Sequence, residues 1–387
     1  MARTHILELR SVRGTGGGPE KTILLGTARA SRDRFDITVC YVRDQRDEVF
    51  GIDDWARQVG VDYVEVRERH SFDHTIGRQL RAIVRERQID IVHAHDYKTD
   101  LLALWLARAE AVTPLATAHG WTGHSWKERR VYYPADRWLL ARFPRVVAVS
   151  EDIRQALLAA GGRPERVRVV LNAIDPSQFV RDRSREGAAR TALGLPAGAT
   201  VLGAVGRAEP QKRFDVLIDA FDTLATTRAD LHLVIAGDGS LLPDLRRRAA
   251  GLGEPGTRVH LLGHRSDVDL LHHAFDVFVQ SSDYEGTPNA VLEAMAFETP
   301  VVATRAGGTA ELAADGEHAL LVASGDRAGL EQAVQRLCAD PDLRRSLAAA
   351  ARRRVETTLS FATRVARVEA IYDELMQARR AATVGGR

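Results

Sequence analysis

Gln280-Ser-Ser-Asp-Tyr-Glu285-Gly-Thr-Pro-Asn-Ala290-Val-Leu-Glu293-Ala-Met-Ala-Phe-Glu-Thr-Pro300 is the stretch from which the rest of the chain can be read. An apolar run of strand length, residues 275–279, precedes it, and Val301-Val-Ala303 follows. Between them Thr287-Pro288 reads as an N-cap followed by proline at the first helical position, where its missing N–H costs nothing. The helix is expected to run through Met295 and Ala296. Glu285 stands in the loop before it, and Glu293 is expected to face out of its second turn. Gly286, Thr287, Pro288, Asn289 and Ala290 form the helix start, whose open N–H groups make an anion site. A diphosphate held there would have a carboxylate on either side to accept hydrogen bonds from sugar and ribose hydroxyls. Acids are also common at helix starts as dipole partners, so the pair alone leaves both readings open.

A chain of 387 residues exceeds one ordinary core and predicts two domains. Its net charge of +2 excludes a strongly basic nucleic-acid binder. Two cysteines, Cys40 and Cys338, lie far apart without ligand spacing, so neither a disulfide framework nor a zinc site is expected. A reducing cytoplasm is the expected compartment. The first residues have no apolar core of signal-peptide length, and no apolar run approaches the ~20 residues of a membrane span. Contact with a membrane would therefore be peripheral.

Strand and helix patterns alternate along the chain. Residues 4–9 read as a strand, followed by the Gly14–Gly18 loop and a helix over 21–30, a layout that lets backbone approach a phosphate. The loop lacks the G-x-G-x-x-G dinucleotide spacing. Further strands are expected at 35–42, 63–66, 89–95, 115–118, 146–149 and 167–171, with helices at 53–59, 72–87, 101–108 and 152–160. The glycine loop, His93, His95 and His119 all fall at strand C-terminal ends, where a parallel doubly wound sheet binds ligands. His93 is expected to be packed and hydrogen-bonded. Residues 182–199, charged and without strand signal, mark the hinge. Alternation then resumes with strands at 200–205, 231–235 and 259–262 and helices at 214–225 and 268–274. Helices at 327–339, 342–356 and 361–382 end the chain. Expected domains are 1–180 and 181–358, with 359–387 a terminal helix packing back on the first.

Gly206-Arg207 and Lys212 follow the strand that opens the second half. A planar guanidinium and a point-charge ammonium suit a diphosphate, and fixed cations there would stabilise charge developing on a leaving nucleoside diphosphate. Together with the Glu285-x7-Glu293 pair, these residues resemble the diphosphate clamp and signature of the retaining family 4 glycosyltransferases, also grouped as glycosyl transferases group 1. Arg213 stands where that family often has glycine. Thr117-Ala-His119-Gly, Asn172-Ala-Ile-Asp175 followed by Phe179, Ala236-Gly-Asp-Gly239, Gly263-His-Arg-x-Asp267 and Ala306-Gly-Gly-Thr-Ala-Glu311 correspond in order across most of the chain. Leu171 and Ala173 depart from the family pattern.

The resemblance implies the GT-B fold, two Rossmann-like parallel-sheet domains facing across a cleft. It implies transfer of a sugar from a UDP- or GDP-sugar to a glycan or lipid-linked acceptor, in cell-envelope or exopolysaccharide synthesis. Carried over by position, Arg207 and Lys212 hold the diphosphate, Glu285 the donor sugar and Glu293 the ribose hydroxyls. Amides of residues 286–290 and of the Gly16–Gly17 loop approach the phosphates or sugar, and His119 hydrogen-bonds the sugar at the reacting centre. The family retains anomeric configuration, by front-face attack in which the departing phosphate accepts the acceptor's proton. No side-chain nucleophile is then needed. A 2-epimerase of the same architecture, a dinucleotide-dependent oxidoreductase on the N-terminal glycine loop and a non-catalytic nucleotide-sugar-binding module are the competing readings.

Two Asp-x-Asp pairs, Asp267-Val-Asp269 and Asp340-Pro-Asp342, have the spacing with which some glycosyltransferases hold Mn²⁺ or Mg²⁺. Both fall at helix starts, so capping is expected, with no metal and no other cofactor. Residues 126–145 interleave Lys127, Arg129, Arg130, Arg137, Arg142 and Arg145 with aromatics. That surface would rest on anionic headgroups, or else be a helix pair packing its aromatics inward.

Overall fold

The computed structural model describes residues 3–14, 16–70, 73–121, 126 and 128–385. They form two compact units, Met1–Asn172 with Phe361–Arg387, and Ala173–Ser360. Unit 1 holds a seven-stranded sheet, β1 (Thr4–Ser11), β2 (Phe35–Asp44), β3 (Asp62–Glu68), β4 (Ile91–Ala94), β5 (Thr113–Ala118), β6 (Val146–Ala148) and β7 (Val167–Val169). Their order is β3-β2-β1-β4-β5-β6-β7, all neighbours parallel. Unit 2 holds β8 (Thr200–Val205), β9 (Leu231–Ala236), β10 (Val259–Leu261), β11 (Val277–Gln280), β12 (Val301–Thr304) and β13 (Leu320–Val322), in the order β10-β9-β8-β11-β12-β13 and again parallel. Both are the doubly wound arrangement expected from alternating strand and helix signals.

Each sheet is covered on both faces, which is why its strands read as continuous apolar runs. In unit 1, Leu7, Leu9, Val92 and Ala116 pack beneath one helical layer, while Ile6, Phe35, Ile91, Leu115 and Val147 face Val368, Ile371, Tyr372 and Leu375 of the terminal helix Phe361–Gly385. Those four recur at three- and four-residue spacing, the stripe of an amphipathic helix, and each is worth about 1.5–3 kcal/mol at most when fully buried. In unit 2 the helix Phe214–Ala225 buries Phe214, Leu217, Ile218, Phe221 and Leu224 against the sheet on the same spacing.

The chain passes from unit 1 to unit 2 after Asn172, whereas the sequence places that boundary at 180/181. The reason is side-chain anchoring. Arg352 donates to the carbonyls of Pro176 (2.8 Å) and Phe179 (2.5 Å), and Arg181 to those of His272 (2.9 Å) and Phe275 (3.1 Å). The return crossing lies at Ser360/Phe361, against an expected 358/359. The 182–199 segment contains a helix, Glu186–Ala192, whose Arg190 reaches Asp276 at 2.9 Å. It is therefore part of unit 2 and not a bare hinge. The helix expected from residue 72 begins at Thr75, and Phe72 lies outside the described residues.

Candidate active site

In unit 2 the strand order reverses between β8 and β11, and an open α/β sheet binds ligands beyond the strand ends at such a point. The loops leaving those two strands carry the residues singled out above. After β8 a single 3-10 turn, Pro210–Lys212, folds Lys212 back so that its Nζ lies 2.5 Å from Oε1 of Glu285. Ser282 Oγ (2.7 Å) and Gln280 Nε2 (3.2 Å) donate to the same oxygen. Among the described residues none of these bonds uses Oε2. Lys212 and Glu285 keep 15% and 11% of their side-chain surface, enough to meet a ligand while most water is excluded. Arg207 is exposed.

The two loops are tied together. Asp283 N–H donates to the Gln211 carbonyl at 2.9 Å, and Ser281 Oγ to the Lys212 carbonyl at 2.8 Å. Arg213 pairs with Asp283 at 3.0 Å. Its φ of +48° lies in the left-handed region, where a side chain is strained and glycine is favoured. The Asp215 and Asp283 carboxylates hold Arg213 there. A third loop supports the second. Gly308 N–H donates to the Gly286 carbonyl at 2.7 Å, and a Cβ on Gly307 would lie 1.8 Å from the Glu285 carbonyl oxygen. Gly237 plays the same part beneath the first loop, where a Cβ would lie 1.7 Å from the Gly206 carbonyl oxygen.

Two local expectations change. The helix spans Asn289–Ala296 with Pro288 itself as the extended N-cap (ψ 110°), so Thr287 precedes the cap. Pro288 is in effect the last non-helical residue, and the helix amides begin with Asn289 and Ala290. Glu293 does not face outward. It is buried, 8% exposed, because both faces of this helix are covered. Of the Asp-x-Asp pairs, Asp340 caps its helix through Leu343 N–H at 2.9 Å, as expected. The Asp267 carboxylate makes no cap bond and is held instead by both arms of Arg265, at 2.8 and 2.6 Å.

Unit 1 has its own reversal, between β1 and β4. At the β1 end, Gly17 N–H donates to Glu20 Oε2 at 2.6 Å, and Glu20 pairs with Arg10. That amide, expected from sequence to approach a phosphate or sugar, is engaged in capping its own helix. Gly16 precedes it at φ +73°. His119, at the end of β5, is half-buried with Nε2 3.1 Å from Nδ1 of His95. Behind it lies a polar cluster that the sequence reading did not assemble, in which His93, His95 and Tyr372 surround Glu8 and Thr117 bonds the far nitrogen of His93. One signal was available: Glu8 is an acid in the apolar run Thr4–Ser11, in register with His93. Tyr372 comes from the far end of the chain, and nothing in its sequence context points to this contact. His93 is packed and hydrogen-bonded on both nitrogens.

The 126–145 stretch packs Phe143 into the unit 1 core but leaves its tryptophans outside. Trp126 is 70% exposed, Trp138 55% and Tyr132 41%, with Arg142 over the Trp138 ring at 3.1 Å. The neighbouring helix Tyr97–Ala109 adds Leu101 and Trp105, also exposed, and Tyr97 stacks on Tyr132 at 5.6 Å. Lys127 lies outside the described residues. No helix among the described residues is long and apolar enough to cross a membrane.

Comparison with known proteins identifies the family and agrees with the fold. The family described as "Glycosyltransferase Family 4" matches residues 16–178, and "Glycosyl transferases group 1" matches residues 199–340. A lipopolysaccharide core biosynthesis glycosyltransferase, LpsE of Rhizobium meliloti, is 30% identical over 295 residues, covering 76% of this chain and 80% of the relative. The Escherichia coli UDP-Gal:α-D-GlcNAc-diphosphoundecaprenol α-1,3-galactosyltransferase is 27% identical over 74% of this chain and 78% of its own length. Among solved structures, Anabaena HepE in complex with UDP superimposes with a TM-score of 0.83 at 22% identity, covering 96% of this chain and all of that one. The sucrose-phosphate synthase of Thermosynechococcus elongatus gives 0.80 at 21%, covering 97% and 100%. The chain belongs to the family 4, group 1 glycosyltransferases, and is a glycosyltransferase of the GT-B fold.

Proposed function

We propose that this chain is a retaining glycosyltransferase that moves a sugar from a UDP- or GDP-sugar to a glycan or lipid-linked acceptor in cell-envelope or exopolysaccharide synthesis. The observation that carries the reading is the Lys212–Glu285 contact at the strand-order reversal of unit 2, beside the amides that begin the Asn289–Ala296 helix. A cation, a carboxylate whose bonds to Lys212, Ser282 and Gln280 all fall on one oxygen, and a helix start suit a diphosphate joined to a sugar. In this assignment Lys212 and Arg207 hold the diphosphate, Glu285 a sugar hydroxyl, and Glu293 the ribose hydroxyls. His119 hydrogen-bonds the sugar. The E. coli relative, named for a UDP-galactose donor and a diphospholipid acceptor, supports both substrate classes.

The chemistry then needs no side-chain nucleophile. The anomeric C–O bond to the diphosphate breaks, the acceptor oxygen bonds the same face of the sugar, and its proton passes to the departing phosphate oxygen. Lys212 and Arg207 stabilise the charge that grows on that oxygen, a task that divalent metal performs in other transferases. We place no metal here: in the Asp267–Asp269 pair, Asp267 is held by Arg265 and Asp269 by Arg185, and Asp340 of the other pair caps its helix. The reading is tested by incubating the protein with UDP-, GDP- and ADP-sugars and identifying the first-formed product by proton NMR. Transfer or slow hydrolysis with the α-configuration kept is expected. An inverted product would overturn the retaining assignment, and release of a 2-epimer without acceptor would mark an epimerase.

For the acceptor side, the exposed Trp138, Tyr132, Leu101 and Trp105 with Arg142 form a surface suited to anionic headgroups, aromatics at the interface and cations toward phosphate. Peripheral attachment at the cytoplasmic membrane face follows. Flotation with phosphatidylglycerol vesicles should recover the protein, with less recovered at high salt and less for Trp138→Ala. Equal recovery with neutral phosphatidylcholine would rule out the electrostatic part.

A further inference from the structure

Glu8 is an acceptor-only carboxylate with 7% of its surface exposed. Three groups surround it, Tyr372 Oη at 2.6 Å, His93 Nδ1 at 3.2 Å and His95 Nε2. Each must supply a hydrogen. Tyr372 O–H does so, and His93 carries its proton on Nδ1, shared between Glu8 and the Tyr372 oxygen at 2.9 Å, leaving Nε2 to accept from Thr117 O–H at 2.7 Å. His95 donates Nε2–H. A neutral imidazole holds one proton, so His95 Nδ1 is then a lone pair, and it faces His119 Nε2 at 3.1 Å. Only His119 Nε2–H can satisfy it. The proton order is thereby fixed from Glu8 to the strand edge.

We propose that Glu8 and His95 are positioning residues that lock His119 in its Nε2–H tautomer, so that its Nδ1 serves the substrate as a bare acceptor of a hydroxyl hydrogen. The inference rests on the reading of His119 as a sugar contact. Acting as acceptor, His119 orients the hydroxyl and leaves that oxygen's lone pairs to other donors. It cannot donate to a ring or carbonyl oxygen.

Charge states agree with the geometry. Burial raises Glu8, but the attraction and hydrogen bonds of His93 and His95 outweigh it and hold the carboxyl well below its usual range. Burial, then the neighbouring His93, brings His95 down to about 3 despite Glu8. His119 is pulled well below its usual value by burial, then by His95, Arg10, Arg364 and His93, all of which disfavour a further positive charge. The Glu8, His93 and His95 ligand atoms lie within 4.8 Å of one another, the spacing of a metal group. Each is already engaged in the proton order above, and the buried cation Arg364 lines the same cavity, which disfavours a second cation.

Long-range ¹H–¹⁵N NMR of histidine-labelled protein reads the tautomer directly. Wild type should show His119 neutral and protonated on Nε2 from pH 5.5 to 8. Glu8→Gln, free to present an N–H to His95, should shift His95 and His119 toward the Nδ1–H form. Its turnover should fall on the order of tenfold, the worth of one neutral hydrogen bond, with nucleotide Kd unchanged. Tyr372→Phe, which spares the Glu8–His95 bond, should keep the wild-type tautomer and so controls for mere disturbance of the core. An Nδ1–H or protonated His119 in wild type would overturn the proposal, as would an unshifted tautomer in Glu8→Gln, or zinc retained in stoichiometric amount after dialysis. A fully active His119→Ala would overturn the sugar contact itself, independently of the tautomer.

Discussion

Lys212→Ala is expected to lower sugar transfer by roughly 10²–10³-fold, the usual cost of removing one fixed group that stabilises transition-state charge. The loss has two sources that can be separated. In the proposed site the ammonium is the cation facing the diphosphate, and it is also the partner of Glu285 at 2.5 Å. Without it Glu285 keeps Ser282 and Gln280 as donors but loses its counter-charge, so the carboxylate is free to turn. Lys212→Met preserves the aliphatic stem and should be as inactive as alanine if charge is what matters. Lys212→Arg should recover part of the rate, because the site needs a point charge at the end of a folded-back turn and a planar fork reaches it differently. Steady-state kinetics on folded variants, verified by circular dichroism, check this. Near-normal turnover in the methionine variant would contradict the assignment.

Gly307→Ala should nearly abolish activity without removing any side chain that meets substrate. The residue sits at φ +52°, where a side chain costs about 1–2 kcal/mol. The added Cβ would also lie 1.8 Å from the Glu285 carbonyl oxygen, which is backbone and cannot rotate away. The 285–286 loop must therefore move, carrying the Glu285 carboxylate off Lys212. A displacement near 1 Å costs on the order of 10²-fold in rate. Gly316→Ala is the matched control, with φ +72° but open space around the new methyl. It should lose only the conformational term, with a few degrees off the melting temperature and full activity. Equal damage from both substitutions would mean that strain, and not collision with the site loop, is responsible.

The strands and helices were readable because both sheets are covered on two faces, so the strands read as apolar runs and the helices show amphipathic spacing. The segments 200–205, 214–225, 268–274 and 327–339 come out as read. Boundaries failed where side chains override local pattern, as at Arg352 and Arg181, whose guanidinium groups hold residues 176–181 onto unit 2. The Lys212–Glu285 contact was half legible. Each residue was singled out beyond a strand end, but 73 residues separate them, and only the β8–β11 adjacency brings the loops together. Glu293 was misjudged because a helix start near a loop suggests solvent, whereas this helix is buried on nearly all sides. The Glu8 cluster joins residues from β1, β4, β5 and the terminal helix, and no local spacing encodes it.

The most direct measurement of the central assignment is thermal stabilisation by UDP, GDP and ADP and their sugar conjugates, with and without EDTA, in wild type and Lys212→Ala. A nucleotide at 100 times its Kd adds about 2.7 kcal/mol to the folded state, a shift of several degrees. The donor-site account predicts stabilisation by one base in preference to the others, surviving EDTA and absent from Lys212→Ala. Stabilisation abolished by EDTA would contradict the metal-free clamp, and a wild type that none of these nucleotides stabilises would contradict the donor site itself.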